Sequence, residues 1–176
     1  QKGLAIVGVD DTNGTWQYTL NGTNWFNIGS VTTSNALLLA ADATSAFRFV
    51  PKANWNGTTG AFSYKAWDQT SGTAGTYVDA SVSGGTTAFS GTSGSALTVT
   101  AVNDAPVRAA GTVANLTVLE DSGFTTLGLG SVGYGPGGGT DESGQTLTYT
   151  VTAVPSGSNG NVYLSDGTTL VTTGSY

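Results

Sequence analysis

The side chains in this sequence that could do chemistry are carboxylates and amides, because the chain contains no histidine and no cysteine. A serine nucleophile therefore lacks its usual base, and metal sites built from imidazole or thiolate are excluded. Acidic residues outnumber Lys and Arg by eleven to five, which gives a net charge of -6. Oxygen groups of this kind are the ligands that Ca²⁺ prefers. The sequence favours a divalent cation over catalysis, and we expect no enzyme.

One carboxylate stands where a strand is expected to end. Residues 98–102 read TVTAV, and the same five residues recur at 150–154. The second copy runs into Pro155-Ser156-Gly157, an ordinary turn, whereas the first runs into Asn103-Asp104-Ala105-Pro106. Proline cannot donate to a strand ladder and disfavours helix in the residue before it. We therefore predict a first unit over residues 1–102, a linker over 103–106 and a second unit over 107–176.

The composition predicts an all-β protein. Only 9% of the 176 residues are charged, against about 25% in soluble globular chains, and the sequence is poor in the helix formers Lys and Glu. Such Thr- and Gly-rich, acidic sequence is typical of exported bacterial surface proteins, so we expect an extracellular location. The five scattered Lys and Arg residues argue against nucleic acid and anionic membranes as partners. No apolar run approaches the roughly 18 residues that would span a membrane.

Alternating apolar and polar residues predict many short antiparallel strands. In TWQYTL, for example, Trp16, Tyr18 and Leu20 share one face. Strands separated by turns about every ten residues favour a β-sandwich. The stretch 34–46, SNALLLAADATSA, is the one place where a short helix is considered. Weaker strands are predicted at 4–9, 25–28, 47–50, 113–119, 146–154, 162–164 and 170–172.

Three motifs in combination resemble a known family: FVPKANWNG at 49–57, AWDQT at 66–70 and VNDAP at 102–106. Together they are similar to the cadherin-like, tandem-95-type repeats of very large bacterial surface proteins and adhesins. The resemblance implies Ig-like or cadherin-like β-sandwich units in tandem. In the family's phasing, the first unit lacks its opening and the second lacks its close, so each is incomplete. The chain is then either a piece of a longer one or is completed by another chain.

The resemblance also implies calcium at the junction between units. In cadherin-like proteins, oxygen ligands come from the linker and from a loop of each flanking module, and Ca²⁺ takes about six to eight of them. For any one acid, a role as a turn residue or a solvated charge is about as well supported. The candidate ligands are Asp68, Asn103, Asp104, Asp141 and Glu142, with Glu120 and Asp121 as secondary candidates that suit the far junction of the second unit.

Four tryptophans raise a second possibility, sugar binding by ring stacking, which needs aromatic faces exposed on one surface. Trp16 alternates with Tyr18 and is expected in the core. Trp25 and Trp55 lie near turns, and Trp67 lies on the strand face opposite Phe62, so these three are the candidates. Structural packing is the stronger alternative for each of them.

Lys65 alternates with Trp67 and could point inward, where a Lys–Asn crosslink would suit a surface protein without cysteine. A solvated lysine is the favoured interpretation.

The function we expect is a structural and adhesive repeat module with a linker rigidified by calcium. Its expected partners are neighbouring repeats or identical subunits, and glycans or a host surface. Two alternatives stay open: a filament subunit assembled head to tail by inter-chain strand complementation, and a carbohydrate-binding module.

Overall fold

The computed structural model describes residues 2–175, and this part of the chain is all-β. It divides into two compact units, the first ending at Val102 and the second beginning at Asn103. The helical content consists of two 3₁₀ turns, Leu129–Ser131 and Gly157–Asn159, both in unit 2. Within residues 2–175 there is no helix with the length and apolar character needed to cross a membrane.

The strands of unit 1 are β1 (Gly3–Gly8), β2 (Gly14–Thr19), β3 (Phe26–Asn27), β4 (Ala36–Ala40), β5 (Ala46–Pro51), β6 (Gly57–Thr58), β7 (Phe62–Trp67), β8 (Tyr77–Val78), β9 (Ser93–Ser95) and β10 (Thr98–Val99). They form two main antiparallel sheets and a separate pair of β10 with β6. The larger sheet has five strands in the order β8-β4-β1-β7-β9, and the smaller has the order β3-β2-β5. This arrangement is consistent with a β-sandwich.

Aromatic rings fill the space between the two sheets of unit 1. Trp16 on β2 is 4% exposed, which confirms that it is a core residue. Its ring stacks on Phe62 of β7 at a centroid distance of 5.1 Å and meets Phe49 of β5 at 5.2 Å. Trp16 and Phe49 are directly opposed in the β2–β5 register, so the alternation along each strand brings the rings together.

The stretch 34–46 contains β4 and no helix. Leu37 and Leu39 join the cluster between the sheets, while Leu38 packs on the other face with Ala5 and Trp67. The five-stranded sheet is thus covered on both faces. A strand buried on both sides needs apolar residues at consecutive positions, which removes the alternation and explains why three leucines in a row resemble a helix segment.

The segment 68–91 covers the outer face of the five-stranded sheet, with Ala80, Ala88 and Phe89 in its apolar cluster. Lys65 points beneath this segment and is 2% exposed, so the expectation of a solvated lysine was wrong. Its Nζ donates to the carbonyl oxygen of Ala80 at 2.5 Å and to Oγ of Ser83 at 2.6 Å. Neither partner is an asparagine amide, so these contacts do not support a Lys–Asn crosslink.

Unit 2 has less regular structure than its sequence predicts. Residues 113–119 form no strand, and Val118 and Leu119 are 51% and 82% exposed. Alternating apolar and polar residues are not enough to form a β-strand here, because an extended segment also needs a neighbouring strand to satisfy its backbone hydrogen bonds. The strands are β11 (Val107–Ala110) paired with β12 (Gly133–Gly135), and β13 (Thr150–Val151) paired with β14 (Gly174–Ser175), with a bridge between Tyr163 and Leu170.

A turn in unit 2 illustrates how carboxylates are used in this chain. Asp166 accepts hydrogen bonds from the hydroxyl of Thr169 and from the backbone N–H groups of Thr168 and Thr169. These bonds favour the ionised form and lower the pKa of Asp166 to about 2. An acidic residue next to Gly167 is therefore explained by turn formation alone, without any metal.

Candidate functional site

The candidate site in unit 2 is centred on Glu142, which is 1% exposed. Among residues 103–175 it is the sole buried residue. Its Oε1 accepts a hydrogen bond from the backbone N–H of Asp104 at 3.1 Å, although the two residues are 38 positions apart. A carboxylate from a glycine-rich loop is thus held against the backbone of the Asn-Asp-Ala-Pro stretch.

A second side chain of the same loop, that of Gln145, binds Asn103. Nε2 of Gln145 donates to Oδ1 of Asn103 at 2.9 Å, and Nδ2 of Asn103 donates to the carbonyl oxygen of Asp104 at 3.1 Å. The backbone N–H of Gln145 also donates to the carbonyl oxygen of Glu142 at 2.9 Å. Residues 103 and 104, expected to belong to a linker, are therefore bound to the loop of unit 2 through two hydrogen bonds, made by the side chains of Glu142 and Gln145.

Gly137 makes this close approach possible. A Cβ atom at this position would lie 2.8 Å from Cβ of Asp104 and 2.9 Å from its carbonyl oxygen, distances too short for real contacts. The φ angle of Gly137 is 137°, a backbone conformation that other residues rarely adopt. The run of glycines before Glu142 therefore allows the loop to fold over Asp104.

The second carboxylate oxygen of Glu142 accepts no hydrogen bond from residues 2–175 although it is fully buried. A buried ionised carboxylate is costly unless a cation or a donor compensates it. Calcium fits this requirement because it binds carboxylate, amide and carbonyl oxygens alike, and Glu142, Asp104 and Asn103 supply those groups. In the described part of the chain no three acidic side chains are grouped to hold a metal, so carbonyl, amide and water oxygens would have to complete the ligand set.

The other acidic candidates lie in turns. The Asp68 carboxylate, in unit 1, accepts hydrogen bonds from the hydroxyl and the N–H of Thr70, and these lower the pKa of Asp68. Glu120 and Asp121 are exposed in a turn closed by the N–H of Ser122, with Asp121 at a φ of 59°. Asp141, next to Glu142, is also exposed. The structure thus brings together Asn103, Asp104 and Glu142 from the predicted set.

The three candidate tryptophans have different environments. Trp67 is 3% exposed, and its indole N–H donates to the carbonyl oxygen of Ser71 at 2.7 Å. This corrects the expectation that Trp67 offers a face to sugars, because its ring is enclosed beneath the segment 68–91. Trp55 is half-buried, with its ring edge-to-face against Phe49 at 5.9 Å. Trp25 is half-buried with the guanidinium of Arg48 over its ring.

Gln145, whose amide completes the contact with Asn103, was not predicted from the sequence. The signal that could have found it is its place three residues after Glu142 in the same turn-rich loop, TDESGQ. Comparisons with protein families, curated proteins and solved structures find no match to this chain.

Proposed function

We propose that the chain is a structural and adhesive repeat segment of an extracellular bacterial surface protein, in which calcium binds at Glu142. The resemblance of FVPKANWNG, AWDQT and VNDAP to cadherin-like repeats supports the repeat role, as does the all-β architecture. One observation carries the calcium site: a fully buried carboxylate oxygen of Glu142 without a hydrogen-bond partner in the described residues. A cation bound at this oxygen, beside Asn103 and Asp104, would compensate the buried negative charge of Glu142.

The proposed role of the site is mechanical. Calcium, when bound, supplies the positive charge that compensates the buried Glu142 carboxylate. The Oε1 atom of Glu142 holds the N–H of Asp104, and Gln145 holds the side chain of Asn103. These contacts restrict the backbone at residues 103 and 104, so stabilising Glu142 also orders the start of unit 2. The chain itself performs no reaction in this proposal.

Calcium is expected to stabilise unit 2 of the wild-type chain, and Glu142→Gln is expected to remove most of that effect. At about 100 times the dissociation constant, the gain would be about 2.7 kcal/mol. Glutamine keeps the acceptor for the Asp104 N–H but removes the charge. Amide hydrogen exchange at Asp104 in the full chain, in calcium and in EDTA, measures the change within unit 2.

Glu120→Gln is the matched control, because Glu120 is an exposed acid of the same unit. It should leave the calcium response unchanged. All four tryptophans belong to unit 1, so their fluorescence monitors unit 1 separately during the same titration. Calcium binding at Glu142 is refuted if the Asp104 amide of the wild-type chain is equally protected in calcium and in EDTA. It is also refuted if Glu142→Gln and Glu120→Gln lose the calcium-dependent protection to the same extent.

A second candidate function is a filament subunit assembled head to tail. The observation that favours it is the exposure of large apolar side chains in unit 2, among them Leu119 at 82% and Phe124 at 85%. In such an assembly, residues after Pro106 of one chain would pair with residues before Asn103 of the next, a heterologous contact that propagates without closing.

If the chain assembles in this way, its sedimentation coefficient should rise with concentration, and Phe124→Ser should suppress the rise because it removes apolar surface from the contact. Val82→Ser is the control, since Val82 is 68% exposed but lies in the segment 68–91 and outside every strand of unit 1 that could pair with another chain. A folded chain that stays monomeric at high concentration would exclude the filament.

A further inference from the structure

A row of polar side chains crosses the smaller sheet of unit 1. Gln17 on β2 is paired in register with Asn27 on β3 and with Arg48 on β5. Nε2 of Gln17 donates to Oδ1 of Asn27 at 3.0 Å, and Oε1 of Gln17 accepts from Nε and Nη2 of Arg48 at 3.0 and 2.8 Å. Because neighbouring positions Trp16 and Phe49 point into the core, alternation places this row on the opposite, outer face.

Arg48 is held on a second side by an aromatic ring. Its Cζ lies 4.0 Å from the centroid of the Trp25 ring, a cation–π contact. The guanidinium is therefore fixed in plane by Gln17 and fixed in position by Trp25. Neither group carries a negative charge, so neither neutralises the charge of Arg48. An exposed arginine held in this way has lost much of the side-chain freedom that ligand binding would otherwise cost.

One edge of the guanidinium stays available. The edge formed by Nε and Nη2 is used by Gln17, whereas the N–H groups of Nη1 and the second N–H of Nη2 have no hydrogen-bond partner among residues 2–175. These groups form the planar fork that matches the two oxygens of a carboxylate. The Nδ2 group of Asn27 likewise donates to no described residue while its Oδ1 accepts from Gln17. The row thus presents a cationic fork at one end and an amide donor at the other.

We propose that this surface binds a sugar that carries a carboxylate, with the carboxylate on Arg48 and a hydroxyl oxygen on the Asn27 amide. A sugar fits better than an acidic peptide because the row offers donors for hydroxyl oxygens and a half-buried indole at its margin. This proposal goes beyond the repeat role, and it does not depend on Glu142.

The probe is glucuronate, added to the full chain at low ionic strength in EDTA, with NMR detection of the Arg48 Nε–H and Asn27 side-chain signals. We expect saturable shifts of both signals. Glucose, which lacks the carboxylate, should give none at the same concentration. Arg48→Lys should weaken binding about tenfold, because it exchanges a two-point fork for a single ammonium. Arg48→Gln, monitored through the Asn27 side-chain signals, should abolish binding.

Arg108→Gln is the matched control, since it removes the same charge from an exposed arginine of unit 2. It should retain binding. The proposal is overturned if glucuronate causes no shift, if glucose shifts the signals equally, or if Arg108→Gln loses binding as Arg48→Gln does. Equal binding of N-acetylglutamate would replace the sugar by an acidic peptide and also overturn it. Because EDTA is present throughout, these outcomes are independent of calcium.

Discussion

Truncation of Trp16 to alanine is expected to lower the free energy of unfolding of unit 1 by about 3–5 kcal/mol, the usual cost of removing a large buried ring. Trp16 is 4% exposed and contacts Phe47, Phe49 and Phe62, with ring centroids 5.1–6.0 Å apart. Its removal would leave a cavity between the two sheets. Urea unfolding followed by tryptophan fluorescence measures the loss, because the remaining tryptophans all lie in unit 1.

Two further variants separate packing from hydrogen bonding at this position. The buried indole N–H of Trp16 has no hydrogen-bond partner in the described residues. Trp16→Phe, which keeps a ring and removes this unsatisfied donor, should therefore cost much less than Trp16→Ala. Trp55→Ala removes a half-buried tryptophan and is the control. If it destabilises unit 1 as much as Trp16→Ala, Trp16 is not the centre of the core.

Replacement of Lys65 by alanine is expected to destabilise unit 1 by about 2–4 kcal/mol. The change removes a buried side chain and leaves the Ala80 carbonyl and the Ser83 hydroxyl without their donor. The segment 68–91 should then detach from the sheet more readily. Hydrogen exchange at the Ala80 amide, which donates to the carbonyl oxygen of Thr33 at 2.8 Å, measures this local opening.

Lys65→Met keeps most of the packing of the side chain and removes only the amine, so it isolates the hydrogen bonds. We expect a smaller loss of stability than for Lys65→Ala but a similar increase in exchange at Ala80. Lys52→Ala is the control, because Lys52 is exposed and a surface change of this kind usually costs within about 0.5 kcal/mol. Unchanged exchange at Ala80 in Lys65→Met would show that the amine does not hold the segment.

The candidate site was predictable only in part. The sequence identified Asn103, Asp104 and Glu142 as candidate oxygen ligands, because few charged residues exist and these stand at expected loop ends. The burial of Glu142 was not predictable. It depends on Gly137, which allows the loop to approach Asp104 although the two residues are more than 30 positions apart. The row of Asn27, Gln17 and Arg48 was missed for the same reason, because strand register decides which polar residues meet.

The pattern of apolar and polar residues along a strand predicts burial at some positions of the fold and fails at others. Trp16 was assigned to the core correctly because β2 is half-buried and alternates. The leucines of β4 (Ala36–Ala40) were ambiguous because that strand is buried on both faces, a property of the sheet and not of the strand. Lys65 was misjudged because its burial requires the later segment that contains Ala80 and Ser83.

The repeated TVTAV segment separates what the sequence by itself determined from what the tertiary structure decided. In both copies the first two residues form a strand, Thr98–Val99 in unit 1 and Thr150–Val151 in unit 2. Their β-branched side chains favour extended backbone wherever they occur. The partners differ: Thr98–Val99 pairs with β6 (Gly57–Thr58), and Thr150–Val151 pairs with β14 (Gly174–Ser175). Local sterics determined the conformation, whereas pairing, burial of Glu142 and exposure of Arg48 required contacts between residues distant in sequence.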